Sequence, residues 1–308
     1  MPDVWTVKDI LAWCEEYLSR KGCEDARLSA QWLLGEALGL SRIELYTNYD
    51  KPLTTDERAT MREWVRRRGE GEPLQLICDT APFRYLTMEV APGVLIPRPE
   101  TEVLVSEALA ELNLESTVDH VVEHEGAEVV QEGSARSLRV LDMCTGSGCI
   151  ACAIASEQPG ASVVAVDVAP EAVDLAQRNV ERLGLSERVQ VVSSNLFAAL
   201  DATYDATFDL VISNPPYIPT QVVAQLSLEV LDYEPTLALD GGADGLDILR
   251  AMLPDVLRVL KADGVFAAEL HEECLDEAAT LAAQAGFVHT RIAHDLAGKP
   301  RVLIAHKA

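Results

Sequence analysis

Asn214-Pro215-Pro216-Tyr217 ends the apolar run V-I-S with an amide, two prolines and a phenol ring. Proline gives the backbone no N–H and fixes φ, so Pro215-Pro216 cannot extend a sheet ladder. Pro215 also biases Asn214 toward extended backbone. The result is a stiff corner just past a strand end, and it suits a planar N–H₂ group. The Asn214 side-chain oxygen and the Pro215 carbonyl each accept one hydrogen, while Tyr217 covers the plane. A nitrogen held this way turns its weak lone pair toward an electrophile, and the acceptors favour the charge that develops during attack. Taken alone, the four residues also fit a mere proline-stabilised strand end.

Two more segments bear on the chemistry. D-M-C-T-G-S-G, Asp142 to Gly148, lies between an apolar run and a helical pattern. Its glycines allow close backbone approach to a ligand, and the helix N-terminus after it favours negative charge. Such a turn is shared by nucleotide folds in general. Asp167 ends the next apolar run, where a carboxylate accepts from both ribose hydroxyls; a helix N-cap is the competing reading for it. The coincidence of the three segments at one sheet edge implies the methyl sulfonium of S-adenosylmethionine as electrophile. A nicotinamide enzyme has no use for the Asn-Pro corner.

The elements that must position these residues form an alternating series. From 138 onward, L-R-V-L-D-M, A-S-V-V-A-V-D, R-V-Q-V-V, F-D-L-V-I-S, G-V-F-A-A-E-L, A-G-F-V-H-T-R-I and R-V-L-I-A-H read as strands, with amphipathic helices between most of them. Alternation of this kind predicts a doubly wound, mostly parallel α/β sheet of seven strands with both faces covered. The closely spaced tail strands predict an antiparallel edge. Ligands of such sheets bind outside the carboxyl ends of the strands.

Residues 1–75 read as a small all-helical domain, with Val7, Ile10, Leu11, Cys14 and Leu18 on one stripe and Ser41 with Glu44 as a capping box. Residues 76–98 read as a β-hairpin linker, F-R-Y-L-T-M-E-V and V-L-I-P about the turn A-P-G, and 99–308 as the catalytic domain. Pro99 opens a helix there, with Glu100 and Glu102 in its first turn. Residues 115–137 carry six acidic groups and read as a solvated insertion. His120 and His124 with Glu123 and Glu125 lack anything to fix a metal geometry, and no metal is expected. The run Arg62, Arg66, Arg67 and Arg68 reads as a solvated helix face or as a docking patch for an acidic or RNA-bearing partner.

The chain has 308 residues, 48% of them hydrophobic, and 25 Lys+Arg against 50 Asp+Glu, a net charge of −25. That balance weakens nucleic-acid binding, whose affinity comes largely from cations on phosphates. No apolar run approaches the ~20 residues of a membrane helix, and the N-terminus lacks a secretory pattern. The seven scattered cysteines fit reduced thiols. Cys149 and Cys152 share a helix face without a second zinc pair and read as buried thiols. A cytoplasmic protein is expected.

The chain resembles the protein-(glutamine-N5) methyltransferases that modify peptide chain release factors (the PrmC/HemK family). The resemblance rests on G-E-P-L-Q-L-I, V-L-I-P-R-P-E-T-E, V-L-D-M-C-T-G-S-G, S-N-P-P-Y-I-P, Y-E-P-T-L-A-L-D-G-G-A-D-G-L-D and D-L-A-G-K-P-R. N-P-P-Y also occurs in adenine-N6 and guanine-N2 methyltransferases; I-P-R-P-E-T-E with Y-E-P and G-x-D-G-L is far more specific. The resemblance implies a class I S-adenosylmethionine methyltransferase that acts on the glutamine of the Gly-Gly-Gln loop of class I release factors. By position, Cys144, Thr145, Gly146, Ser147 and Gly148 would cradle the methionine part of the cofactor. Asp167 would hold its ribose, Asn195 and Leu196 would lie beside its adenine, and Asn214 would contact the cofactor as well as the substrate. Asn214, Pro215, Pro216 and Tyr217 would hold the glutamine amide, walled by Phe83, Arg98, Pro99 and Glu100.

The family usually has Gly where Cys144 stands and often Asp where Asn195 stands; a side chain at 144 is expected to crowd the cofactor carboxylate. Two other readings compete. One is an N-methyltransferase acting on an exocyclic amino group of adenine or guanine, taken from the stack as a planar N–H₂. The other is a cofactor-binding interaction protein without turnover.

Overall fold

The computed structural model describes residues 4–114, 137–226 and 228–308. The acidic stretch, with its two histidines, therefore lies outside the described residues apart from Ser137. Contacts divide the chain into two compact units, Met1–Thr80 with Ser227–Tyr233, and Ala81–Leu226 with Glu234–Ala308.

The first unit is helical. Capping boxes open three of its helices, Val7–Arg20 at Thr6, Arg42–Thr47 at Ser41 and Thr55–Gly69 at Thr54. Gly39 closes Ala26–Leu38 in the left-handed conformation. A short helix, Leu74–Cys78, crosses the boundary expected at residue 75. Val7, Cys14, Leu18, Leu33, Leu34 and Val65 bury the helices' apolar stripes in one core. Burial of each such aliphatic side chain stabilises by about 1.5–3 kcal/mol. Three of the four clustered arginines are engaged within the unit. Arg66 pairs with Glu63 and Glu70, Arg67 with Glu72, and Arg68 donates to Ser29 and the Glu72 carbonyl. Those contacts favour a self-neutralised helix face over a free cationic patch.

The second unit opens on a hairpin, β1 (Thr80–Phe83) and β2 (Leu86–Glu89). Its turn is at Arg84-Tyr85 rather than at A-P-G, because Arg84 takes φ 52° and its guanidinium reaches inward. There it pairs with buried Glu157 and donates to Ser106 Oγ at 2.6 Å and to the Glu102 carbonyl at 3.0 Å. Three further contacts from one turn residue outweigh the intrinsic preference for Pro-Gly.

Beyond the hairpin come β3 (Leu138–Met143), β4 (Ala161–Asp167), β5 (Val189–Ser193), β6 (Phe208–Ser213), β7 (Leu260–Glu269), β8 (His289–His294) and β9 (Pro300–His306). They form one sheet in the order β5-β4-β3-β6-β7-β9-β8, parallel from β5 to β7 and antiparallel at β9 and β8. Alternate residues feed two cores. Val140 and Ile212 face one side with Ile150 and Leu104; Leu141 and Val211 face the other with Met252 and Phe266. Both faces are covered, which is why the strands read as continuous apolar runs. No helix of the described residues is long and apolar enough to cross a membrane.

Strand register decides which residues share an edge. Met143 stands beside Val166 on one side and Ser213 on the other, Asp167 beside Ser193, and Ser213 beside Ala268. The residues just past these positions, Cys144, Asn195, Asn214 and Glu269, therefore emerge along a single carboxyl edge with Asp167.

Candidate active site

A cavity of about 650 Å³ opens at that edge. Its floor is the turn after β3, its walls the segments 92–98 and 235–240. Cys144, Gly146 and Gly148 have φ of 62°, 56° and 80°, so the turn alternates through left-handed backbone, and its Thr145 and Gly148 N–H groups are held by the carbonyls of Val166 and Thr145, each at 2.9 Å. Asp142 holds the turn from below. Its Oδ2 accepts from Thr145 Oγ1 at 2.5 Å and from the Ala151 N–H at 3.1 Å, which joins the turn to the first turn of helix Cys149–Glu157. Burial pushes the Asp142 carboxyl up to about 7, against the lowering effect of those two hydrogen bonds and with a further push from Asp167. Its Oδ1 has no hydrogen-bond partner among the described residues.

Asp167 lines the cavity and is itself fixed. Oδ2 accepts from the Gly146 N–H at 2.9 Å and Oδ1 from the Ala169 N–H at 3.0 Å, and each oxygen keeps a second lone pair. Ala169, not Asp167, is the N-cap of helix Pro170–Arg182. Asn195 and Leu196, the latter at φ 47°, line the cavity past β5. Cys144 lines it as well; its thiol stands at Ser213, and burial pushes it up to about 12, so it is a neutral, inert group.

Asn214 enters the cavity from the end of β6. Its Nδ2 donates to Thr101 Oγ1 at 3.0 Å, and Thr101 in turn donates to Glu269 Oε2 at 2.8 Å. Glu269 Oε1 accepts from the Tyr217 hydroxyl at 2.9 Å. Burial pushes the Glu269 carboxyl and the Tyr217 phenol both upward, while the two hydroxyl donors and nearby Arg301 favour the carboxylate.

The chain behind this corner is built from glycine. A Cβ on Gly241 would lie 2.7 Å from Tyr217 Cα, and one on Gly245 2.3 Å from the Tyr217 carbonyl oxygen. Ile218 donates to the Leu239 carbonyl at 2.9 Å and accepts from Gly241 at 2.9 Å. The G-G-A-D-G run is therefore a backing plate for N-P-P-Y.

Segment 92–98 is held over the cavity from both ends. Asn179, fully buried, accepts from the Glu89 N–H at 2.7 Å and donates to the carbonyls of Glu89 and Ser147, each at 3.0 Å. At the far end Arg98 Nη2 donates to both oxygens of buried Glu234, at 2.7 and 2.6 Å, and the Ile96 N–H donates to Glu234 Oε1 at 3.3 Å.

Several expected site residues stand elsewhere. Phe83 is fully buried in the core with Met88 and Leu104 and does not wall the cavity; an apolar ring on the inner face of β1 gains more from that core. Gly148 is not in the lining, and a Cβ there would lie 3.1 Å from Ala176 Cβ, so glycine serves helix packing. Pro215 is buried behind the corner, and only Asn214 and Pro216 of the four corner residues line the cavity. The Tyr217 ring packs toward the core and is tethered by its hydroxyl, so it braces the corner instead of covering an amide plane. Glu100 lies outside the lining, near enough to Tyr217 and Glu269 to act on both by charge. Arg98 does line the cavity, but its guanidinium is committed to Glu234.

The sequence reading missed Thr101, Asn179, Glu234 and Glu269. The signal for Glu269 was a lone carboxylate ending a buried strand, G-V-F-A-A-E, on the same edge as Asp142 and Asp167. Thr101 and Glu234 were visible only as letters within P-E-T-E and Y-E-P.

The residues present fit a sulfonium nucleoside. The volume falls in the range of small-molecule sites, the Gly-rich turn precedes a helix N-terminus, and Asp167 has free lone pairs. Asp167, Glu171 and Asp240 line the cavity against one paired guanidinium, which suits a ligand of net positive charge. Sheet order, turn and cavity define a class I S-adenosylmethionine-dependent methyltransferase.

Comparison with known proteins narrows this. A model of the PrmC N-terminal domain matches residues 9–78, and a model of the methyltransferase small domain matches 127–231. The release factor glutamine methyltransferase of Geobacter sulfurreducens is 43% identical over 98% of this chain and 97% of its own length. The protein of the same name from Rhodopirellula baltica is 39% identical over 99% and 97%. The chain belongs to the release factor glutamine methyltransferase family. Among solved structures, a methyltransferase from Pyrococcus furiosus aligns with a TM-score of 0.50 at 18% identity over 83% of this chain and 100% of that one. The hMettl16 catalytic domain, solved with an RNA hairpin, gives 0.52 at 14% over 82% of each chain. Both show the fold alone.

Proposed function

We propose that the protein transfers the methyl group of S-adenosyl-L-methionine to the side-chain amide nitrogen of the glutamine in the Gly-Gly-Gln loop of class I peptide chain release factors. The observation that carries this reading is the orientation of Asn214. One N–H of its amide is donated to Thr101, which turns the nitrogen toward Thr101 and leaves the oxygen as the end that faces a ligand in the cavity. An acceptor fixed there suits a carboxamide, which brings N–H donors to it.

The cofactor, when bound, supplies an electrophilic methyl carbon on a sulfonium centre. The chain's own groups bind, orient and exclude water. The close backbone of the turn Cys144–Ser147 and the helix N-terminus after it suit the amino-acid end, Asp167 the ribose hydroxyls, and Asn195 and Leu196 the base. Asn214 keeps the acceptor nitrogen's lone pair directed at the reacting carbon, and most of the rate comes from that positioning. No residue of the corner is a base, so the released proton leaves with water.

The family membership supports a protein substrate over a nucleic acid, and the net charge of −25 agrees. The seven free cysteines accord with a reducing, cytoplasmic setting. The test supplies radiolabelled cofactor with purified release factor and with total RNA. Label in the release factor, lost when its loop glutamine is replaced, is expected. Label in RNA alone overturns the reading, and binding of release factor without label supports the non-catalytic one.

A further inference from the structure

Thr101 has one hydroxyl proton, and that proton is committed. Glu269 is 1% exposed and sits at the end of β7, where its Oε2 takes the Thr101 hydrogen and its Oε1 takes the Tyr217 hydrogen. Toward Asn214, Thr101 can then only accept. The Asn214 amide must offer it N–H, which leaves the carbonyl end for the cavity. Reversing the amide would set its oxygen against an oxygen with no hydrogen to give. The relay spans helix Pro99–Glu111, the corner just past β6, and β7, and joins residues 113 and 168 positions apart in the chain.

We propose that Glu269 and Thr101 are positioning residues that fix which end of the Asn214 amide faces the substrate, so that the site accepts a carboxamide and rejects a carboxylate. The inference rests on the proposed reaction and adds its specificity. A glutamine side chain brings N–H donors to Asn214 Oδ1. A glutamate brings only acceptors, and meets an unpaired acceptor that cannot turn away. Sites that reject a ligand by leaving their own polar groups unpaired discriminate strongly.

The test compares Thr101→Val, which keeps shape and removes the hydroxyl, with Thr101→Ser, which keeps the hydroxyl. Thr101→Val is made alone and together with Glu269→Gln, so that a buried carboxylate short of a donor does not prevent folding. Each enzyme is assayed on release factor, with the Gln→Glu release factor as competitor. In Thr101→Val, kcat is expected to fall at least tenfold with cofactor KM within about twofold of wild type, and the Gln→Glu competitor should inhibit about tenfold better. Thr101→Ser should recover most of both losses. Unchanged kcat and unchanged discrimination in Thr101→Val overturn the inference, as does a Thr101→Ser enzyme equally impaired. A second readout needs no substrate. In the ¹⁵N-labelled, cofactor-loaded protein, one Asn214 side-chain proton should exchange slowly in wild type and Thr101→Ser and quickly in Thr101→Val. Equal exchange in all three overturns the relay even if the wild type proves to methylate something other than a release factor.

Discussion

Asn179 and Glu89, 90 positions apart, exchange hydrogen bonds in both directions, the side-chain amide of one standing in for a strand partner of the other. The same amide nitrogen also reaches Ser147 in the Gly-rich turn. One buried side chain therefore ties the end of β2, which leads into the cavity's 92–98 wall, to the cavity's floor. Arg182 reinforces it with a hydrogen bond to Asn179 Oδ1 at 3.2 Å.

Asn179→Ala is expected to orphan one N–H and two carbonyls. Each buried polar group left unpaired costs about 1–3 kcal/mol, partly relieved by water entry. We expect a loss of roughly 2–4 kcal/mol in urea unfolding, and a weaker cofactor by calorimetry because wall and floor are no longer joined. Cofactor affinity equal to wild type in a destabilised variant would separate the two roles and refute the coupling.

Asn214→Ala tests the corner directly. The Asn214 amide is tied to Thr101, and among the described residues no hydrogen bond joins it to the Gly-rich turn or to Asp167, so cofactor affinity should stay within about threefold. Turnover should drop by about 10²-fold or more, as for removal of a fixed polar partner of the reacting group. Near-full activity in this variant would remove the amide clamp from the mechanism.

Much of the architecture is legible in the sequence because it is local. The parallel order follows from strand–helix alternation, and Asp142, Asp167 and Asn214 fall on one edge because each ends or follows an apolar run. Thr101, Asn179, Glu234 and Glu269 are not legible as site residues. The partners that bring them to the site lie 32 to 168 positions away, and no periodicity reports on such contacts. Tyr217 misleads for the same reason. An aromatic beside a reactive amide suggests stacking, whereas its hydroxyl has a buried carboxylate to satisfy, and a buried phenol finds a partner. The hairpin turn goes to Arg84-Tyr85 over A-P-G because Glu157, far along the chain, holds the guanidinium.

Asp142 makes a prediction about pH. Its carboxyl titrates near 7 in the folded chain and near its ordinary 3.8 when unfolded. Below about pH 4 both states hold the proton and the group is neutral to stability. Between about pH 4 and 7 the folded state keeps a proton that the unfolded state has released, so stability falls as pH rises through that window. Three pH units correspond to about 4 kcal/mol at most. Asp142→Asn removes the titration. Its amide oxygen can still accept from Thr145 and Ala151, while its N–H₂ takes the place of the unpartnered Oδ1, at a cost of about 1–3 kcal/mol at every pH. The variant should therefore be less stable than wild type near pH 4 and at least as stable near pH 8. Other carboxylates titrate in both proteins and cancel in the difference. Urea unfolding of both proteins across pH 4 to 8 measures that difference, and a value that does not change with pH would mean Asp142 is ionised throughout and the Gly-rich turn is held by a charge.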